Sequence, residues 1–166
     1  MGFMDAVKTC LRKYFTFHGR AQRSEYWWFY LFTIIAGIFA GIIDGAMMGW
    51  ANSDQGPVGT ITTLAFFIPS LSAGWRRLHD TGRSGWWIGG GILGFIAFGI
   101  ILVVLGAASA NGGLDTVITG IFGILFLIGV IVYGITILVF LCKDSYPGDN
   151  VYGRSTKYDT GASVFD

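Results

Sequence analysis

The Lys and Arg residues of this chain, eleven in all, are confined to alternate connections between its apolar stretches. Four apolar stretches cover residues 26–50, 58–75, 86–108 and 116–142. The basic residues fall before the first stretch, between the second and the third, and after the fourth, and the other two connections contain none. Because short loops rich in Lys and Arg stay in the cytoplasm, this distribution predicts four membrane spans with both chain ends on the cytoplasmic side.

The composition supports a membrane protein. Hydrophobic residues make up 53% of the chain and charged residues 13%, whereas a soluble domain carries about 25% charged residues. Each apolar stretch is close to the roughly 20 residues that cross a hydrocarbon core. We therefore expect an all-α integral membrane protein with four transmembrane helices. A single membrane domain should cover residues 1–155, followed by a disordered tail over residues 156–166.

A short amphipathic helix is predicted before the first span, over residues 3–17. Apolar side chains recur there at helical spacing, and polar or charged side chains take the other face. The apolar positions are Phe3, Val7, Cys10, Leu11 and Tyr14. Basic amphipathic helices of this kind lie in the headgroup plane. We expect an interfacial helix that packs on the spans, with a regulatory or partner-binding helix as the alternative.

Small residues follow one face of the first span. Its glycines are spaced four residues apart, which places them on one side of the helix and lets a neighbouring backbone approach closely. They are Gly37, Gly41, Gly45 and Gly49. This face predicts packing against another span of the same chain, or the seam of a homo-oligomer.

Two residues inside the spans carry further expectations. Asp44 lies in the outer third of the first span, where an intramembrane carboxylate is a candidate functional group. Threonines of the second span are candidate hydrogen-bond partners, so a structural carboxylate and a proton or ion site both stay open. Pro69 should kink the second span, because proline removes one backbone hydrogen bond.

Two segments that border the spans concentrate Arg, carboxylate, His and paired Trp side chains. They cover residues 17–28 and 75–87. The aromatic belt and the positive-inside rule account for the residue types but not for their density. In the second segment, Gly82 suits the C′ position of one helix and Ser84 the N-cap of the next. Arginines beside such a turn suit an anion, above all a phosphate.

The candidate binding residues of these segments form one predicted cluster. They are Arg20, Arg23, Glu25, Arg76, Arg77, His79, Asp80 and Arg83. We predict that Glu25 pairs with Arg76 or Arg77. Asp80 is expected to pair with Arg20 or Arg23, and the tail is expected to cover the cluster. Such a cluster either binds an anionic phospholipid headgroup or only fixes the helices, and both interpretations stay open at this point.

Three runs of residues resemble a known family. They are GRAQRSEYWWF before the first span, RRLHDTGRSGWW between the second and third spans, and NVYG in the tail. These runs are similar to the bacterial inner-membrane family catalogued as domain of unknown function 805, and the similarity extends from about residue 10 to residue 155. The resemblance implies a small multi-span protein of the bacterial inner (plasma) membrane. The family name assigns no activity.

The sequence offers little for catalysis or metal binding. His18 and His79 are its two histidines, and together with Glu25 and Asp80 they lack a strong metal-binding spacing. Neither a Gly-x-Ser-x-Gly pattern nor a phosphate-binding loop is present. We therefore expect no metal and no cofactor. Nucleic acid is not an expected partner, because topology accounts for the basic residues.

Three classes of function follow from these observations. The leading hypothesis is a non-enzymatic membrane protein that binds anionic lipid or a protein partner at the predicted cluster. The second is a small channel or transporter, formed by an oligomer, in which Asp44 and Pro69 line a path. The third is a membrane-embedded enzyme that acts on a lipid phosphate with His79 as acid or base. The sequence does not give the physiological role.

Overall fold

The protein is described by a computed structural model over residues 1–49, 56–110 and 116–156. Within these residues the chain forms five α-helices and no β-strand. The helices are α1 (Phe3–Arg12), α2 (Arg23–Met48), α3 (Pro57–Asp80), α4 (Trp86–Ala110) and α5 (Thr116–Cys142). The last four are long and apolar enough to cross a membrane. The predicted all-α membrane fold with four spans is confirmed.

The helix bounds differ from the predicted ones near the polar segments. α2 begins three residues earlier, at Arg23, and α3 continues through Asp80, five residues beyond the apolar stretch. α1 is shorter than predicted, because residues 13–15 form a turn. Expectations for residues 50–55 and 111–115, and for the tail beyond residue 156, lie outside the described residues.

The chain divides into two compact units. The first holds α1, α2, α3 and the C-terminal segment from Asp144, and the second holds α4 and α5 over residues 85–143. In the second unit the two helices pack through aromatic rings, and the rings of Phe98 and Phe126 stack with centroids 4.8 Å apart. Whether residues 1–155 form a single domain stays a prediction.

In the first unit, α1 packs on α2 and α3. It buries Ala6, Val7 and Cys10. At its first residue, the ring of Phe3 meets that of Trp28 edge-on, with centroids 5.9 Å apart. The predicted packing of the N-terminal helix on the spans is thus confirmed.

Pro69 lies buried inside α3 and leaves one backbone carbonyl without its helical donor. That carbonyl belongs to Ala65, four residues earlier. The hydroxyl of Tyr14 donates to it at 2.5 Å. Nearby, the hydroxyl of Ser72 lies 2.7 Å from the carbonyl of Thr16. The turn after α1 is therefore fastened to α3, and a polar group inside a span gains a partner.

The end of α3 is closed by a glycine cap. Gly82 has a φ of +76°, and the N–H of Arg83 donates to the carbonyl of Leu78 at 3.0 Å. This is the Schellman arrangement, and it confirms the predicted C′ position of Gly82. The carbonyl of Gly85 accepts the first bond of α4, so Gly85 holds the N-cap position, and the prediction of Ser84 there is wrong by one residue.

Candidate functional site

Six charged or ionisable side chains lie buried where α2 begins and α3 ends. They are Arg20, Glu25, Arg76, Arg77, His79 and Asp80, and together they form the polar cluster. Four parts of the chain supply its contacts: the linker between α1 and α2, the first turn of α2, the last turns of α3, and the C-terminal segment. The extension of α3 beyond its apolar stretch places four of the six residues on one helix end.

Asp80 is the centre of the polar cluster and is fully buried. Its Oδ1 accepts hydrogen bonds from Nε of Arg20 and Oγ1 of Thr156, both at 2.9 Å. Its Oδ2 accepts from Nη1 of Arg77 and Oγ of Ser145, both at 2.6 Å. Two guanidinium groups thus share one carboxylate out of contact with water. Hydrogen bonds between charged groups are about twice as strong as neutral ones.

Arg20 fastens the C-terminal segment to this centre. Its Nη1 donates to the carbonyl of Gly148 at 2.8 Å, and its Nη2 donates to the carbonyl of Tyr146 at 2.9 Å. The N–H of Tyr146 in turn donates to the carbonyl of Asp80 at 2.8 Å. Because protein oxygens occupy both ends of the Arg20 guanidinium, this group serves the tertiary structure rather than an external anion.

A second buried pair joins α2 to α3. Nη1 of Arg76 donates to Oε1 of Glu25, and the two residues are 1% and 4% exposed. Nε and Nη2 of Arg76 are buried, and among the described residues they have no hydrogen-bond partner. The polar cluster therefore sets three guanidinium groups against two carboxylates. It buries an excess of positive charge, which is costly unless other groups compensate it.

Cys10 lies next to the second pair, with Sγ 3.9 Å from Oε1 of Glu25. Burial raises the pKa of the Cys10 thiol to about 11, the charge of Glu25 adds to this effect, and Arg76 opposes it. Since the thiolate is the reactive form, Cys10 is protonated and inert at neutral pH.

His79 is held between the linker and the C-terminal segment. Its Nδ1 lies 3.1 Å from the carbonyl oxygen of Gly19. Its ring stacks on that of Tyr152, with centroids 3.8 Å apart and planes 4° from parallel. Nδ2 of Asn150 donates to the backbone carbonyl of His79 at 2.9 Å. The residue is 7% exposed, so little room remains beside it for a substrate.

The two other predicted binding residues lie outside the buried cluster. Arg23 pairs with Asp144 at 3.4 Å, and both side chains are about half exposed. Arg83 is half-buried in the turn after α3. The backbone N–H groups of Thr81, Gly82 and Arg83 donate to carbonyls at the end of α3. Phosphate binding by the N–H groups at the start of α4 stays a prediction.

Both predicted ion pairs are present. Glu25 pairs with Arg76 and Asp80 pairs with Arg20. The C-terminal segment contacts Arg20 and Asp80, as the predicted cover by the tail requires. The sequence does not predict the hydroxyls of Ser145 and Thr156, which complete the set of hydrogen-bond donors around Asp80. The run Pro147-Gly148-Asp149-Asn150 is typical of a turn and is the signal in the sequence that this part of the tail is ordered. Ligand binding by these residues stays a prediction.

Asp44 has a structural role in the first unit. Its side chain is fully buried, and its oxygens accept from the backbone N–H groups of Val58 (3.0 Å) and Gly59 (2.6 Å). These are first-turn donors of α3, so a carboxylate of α2 caps the neighbouring helix and complements its dipole. The absence of a side chain at Gly56 makes this approach possible, since a Cβ there would lie 2.0 Å from Cγ of Asp44.

The glycine face of α2 has free space over much of its length. A Cβ added at Gly37, Gly41 or Gly49 would meet no heavy atom of the described residues within 4 Å, whereas Gly45 is buried. Packing through this face stays a prediction. Within the described residues, no group of three His, Cys, Asp or Glu side chains lies close enough together to hold a metal ion.

The fold and the polar cluster define a polytopic membrane protein whose first two spans carry a buried ionic network at one end. The chain matches the family model described as Protein of unknown function (DUF805) over residues 14–154, and it belongs to that family. The predicted resemblance is confirmed.

The relatives agree with a location in the bacterial inner membrane. The chain is 41% identical to the inner membrane protein YhaH of Escherichia coli strain K12 over 101 residues, which cover 60% of this chain and 83% of the relative. It is 31% identical to the inner membrane protein YhaI of the same strain over 155 residues, which cover 93% of this chain and 98% of the relative. No solved structure matches the chain. These names assign no activity.

Proposed function

We propose that this protein is a non-enzymatic inner-membrane protein with both termini in the cytoplasm, and that it gathers anionic phospholipid headgroups around a locked polar cluster. The observation that carries the proposal is the distribution of charge around that cluster. The charges inside it are buried and largely paired, whereas an excess of basic residues on the same side of the first unit is exposed or half-buried. The basic residues are Lys8, Arg12, Lys13, Arg23, Arg83 and Arg154, and the acidic ones are Asp5, Asp144 and Asp149.

In this proposal the role of the polar cluster is to hold separate segments of the chain together. It holds the linker and the C-terminal segment against the ends of α2 and α3, and so it fixes the position of exposed cations such as Arg154. Each basic residue near an anionic membrane surface contributes about 1 kcal/mol of attraction. The sorting of Lys and Arg in the sequence supports the cytoplasmic orientation.

The contacts of two residues weigh against the other classes of function. The carboxylate of Asp44 caps α3 and is bonded to backbone N–H groups there, and this position does not favour a channel lined by that carboxylate. His79 is enclosed by Gly19 and Tyr152, and this position does not favour a general acid or base.

The orientation is tested by reporter fusions that distinguish the cytoplasm from the periplasm. Fusions after Lys143 should report the cytoplasm, and fusions at Asp54 and Asp115 should report the periplasm. A cytoplasmic signal at Asp54 would contradict the four-span topology and remove the basis for contact with the cytoplasmic leaflet.

Lipid binding is tested by thermal stability of the purified protein with added phosphatidylglycerol or phosphatidylethanolamine. The variant Arg154→Gln should lose part of the stabilisation by phosphatidylglycerol and keep its stability in neutral detergent, because Arg154 is exposed. Arg77→Gln should instead lose stability in neutral detergent, because Asp80 loses a buried partner. Equal stabilisation of the wild-type protein by both lipids would refute the proposal.

A further inference from the structure

The N-terminal helix has an apolar sector that is wider than the protein surface beneath it. Ala6, Val7 and Cys10 take the covered part of this sector. Met4 and Leu11 lie seven residues apart, which is about two helical turns, and so occupy one line along the helix next to the covered part. They are 59% and 39% exposed. Phe15, in the turn that follows, is 74% exposed.

Basic residues border this uncovered edge. Lys8 and Arg12 are exposed, and at about 100° per residue they follow Met4 and Leu11 around the helix, on the side away from the protein core. The order around α1 is therefore a buried face, an uncovered apolar edge and a cationic edge. A helix at a membrane surface has the same order, with apolar side chains in the acyl region and cations among the headgroups.

The contacts of α1 place it at a suitable depth. The ring of Phe3 packs on Trp28 of α2. From Trp28 to the far end of α2 at Met48 the helix rises about 30 Å, which is the thickness of one hydrocarbon core. α1 therefore lies close to the boundary between acyl chains and headgroups, on the side of the membrane where α2 begins.

We propose that the uncovered apolar edge of α1, formed by Met4 and Leu11, inserts among the acyl chains of the cytoplasmic leaflet together with Phe15 of the turn that follows. Lys8 and Arg12 bind anionic headgroups directly above them. This goes beyond attraction of headgroups around the polar cluster, because the contact is apolar and sets the depth of α1. The choice of leaflet and of anionic lipid rests on the proposed cytoplasmic orientation, whereas the insertion itself follows from the depth of α1 along α2.

Photo-crosslinking in vesicles of phosphatidylethanolamine and phosphatidylglycerol tests the insertion. A photoreactive phenylalanine analogue replaces Leu11 in the complete protein, and the same analogue at Asp5, which is exposed on the polar face, is the matched control. Both positions are on the surface, so neither probe fills a core. The probe at Leu11 should form lipid adducts several-fold more often than the probe at Asp5.

Two results would overturn the insertion. One is equal lipid labelling at Leu11 and Asp5. The other is attachment of the Leu11 probe to α4, α5 or a second copy of the chain, because protein and not lipid would then cover the edge.

The headgroup contact has a separate measurement. The ratio of phosphatidylglycerol to phosphatidylethanolamine adducts at Leu11 should fall up to about fivefold in Lys8→Gln and again in Arg12→Gln. An unchanged ratio refutes the anionic contact. Failure of the insertion and failure of the proposed orientation give different results. If the reporter fusions contradict the cytoplasmic orientation but lipid adducts still form at Leu11, the insertion is supported and only the orientation is refuted.

Discussion

The replacement Asp80→Asn removes the charge on which the polar cluster is organised. The carboxylate accepts four hydrogen bonds, three from the buried residues Arg20, Arg77 and Ser145 and one from a half-buried threonine, and two of the four come from guanidinium groups. Asparagine keeps one acceptor oxygen and puts an NH₂ group in place of the other. That NH₂ would face donors in either orientation, and the charges of Arg20 and Arg77 would stay buried without their counter-ion.

The expected loss is about 3–5 kcal/mol of unfolding free energy, the range for breaking a buried ion pair from one side. Adding the bonds separately, at about 1.5–3 kcal/mol for each contact with a charged group, would give a larger figure. The bonds share one carboxylate, however, and are not additive. The C-terminal segment can also move away and let water reach Arg20. This relief limits the loss and predicts release of the segment that contains Ser145 and Thr156.

Two measurements on the protein in neutral detergent check this reasoning: the unfolding free energy from denaturant titration, and the rate of proteolysis within residues 145–156. The matched control is Asp144→Asn, because Asp144 pairs with Arg23 but both side chains are about half exposed. An exposed pair contributes about 0–1 kcal/mol, so this control should change little. Equal stability and equal proteolysis of the two variants would show that burial of Asp80 does not organise the cluster.

Further predictions concern single residues. Asp44→Ala should cost about 1–2 kcal/mol by removing the cap of α3, and wild-type stability of the purified variant would contradict that role. Tyr14→Phe should cost about 1 kcal/mol, since the carbonyl released by the proline of α3 loses its donor; a neutral effect in thermal unfolding would show that this bond adds nothing. Maleimide should react at Cys142, which is exposed, and not at the buried Cys10 until the protein unfolds. Because the pKa of the Cys10 thiol is raised from 9.0 to about 11, the unfolded chain loses this proton first, and stability should fall more steeply between these pH values in the wild type than in Cys10→Ser. Equal alkylation of both thiols in the folded protein, or the same pH dependence in the variant, would contradict this.

The spans and the ion pairs could be predicted because both depend on signals that are local in sequence or on simple sorting of charge. The apolar stretches fixed four helices, and the opposite charges of Glu25 and Asp80 against neighbouring arginines left few pairings. The partners of Asp44 could not be predicted in the same way. A carboxylate near the end of a span accepts from threonine side chains, water or backbone N–H groups equally well, and only the register between α2 and α3 decides.

The hydroxyl partners of Asp80 could not be predicted for a different reason. Ser145 and Thr156 carry no distinctive pattern, and they lie 65 and 76 residues from Asp80 in the sequence. Their roles depend on the path of the C-terminal segment, which Arg20 determines through carbonyl contacts that any residue type provides. Such contacts leave no mark in the sequence of the segment itself.

Most of the polar residues in the runs that resemble the family make contacts with one another inside the first unit. The run before α2 supplies Arg20 and Glu25, the run at the end of α3 supplies the arginines, His79 and Asp80, and the tail run supplies Asn150 and Tyr152, which enclose His79. These residues bond to one another across segments that are far apart in sequence. Their density at the membrane boundary therefore has a sufficient explanation in tertiary structure, and it does not require a reaction centre. Side chains that the network leaves at the surface, above all the cations and the uncovered apolar edge of α1, are consequently where contact with lipid should be sought.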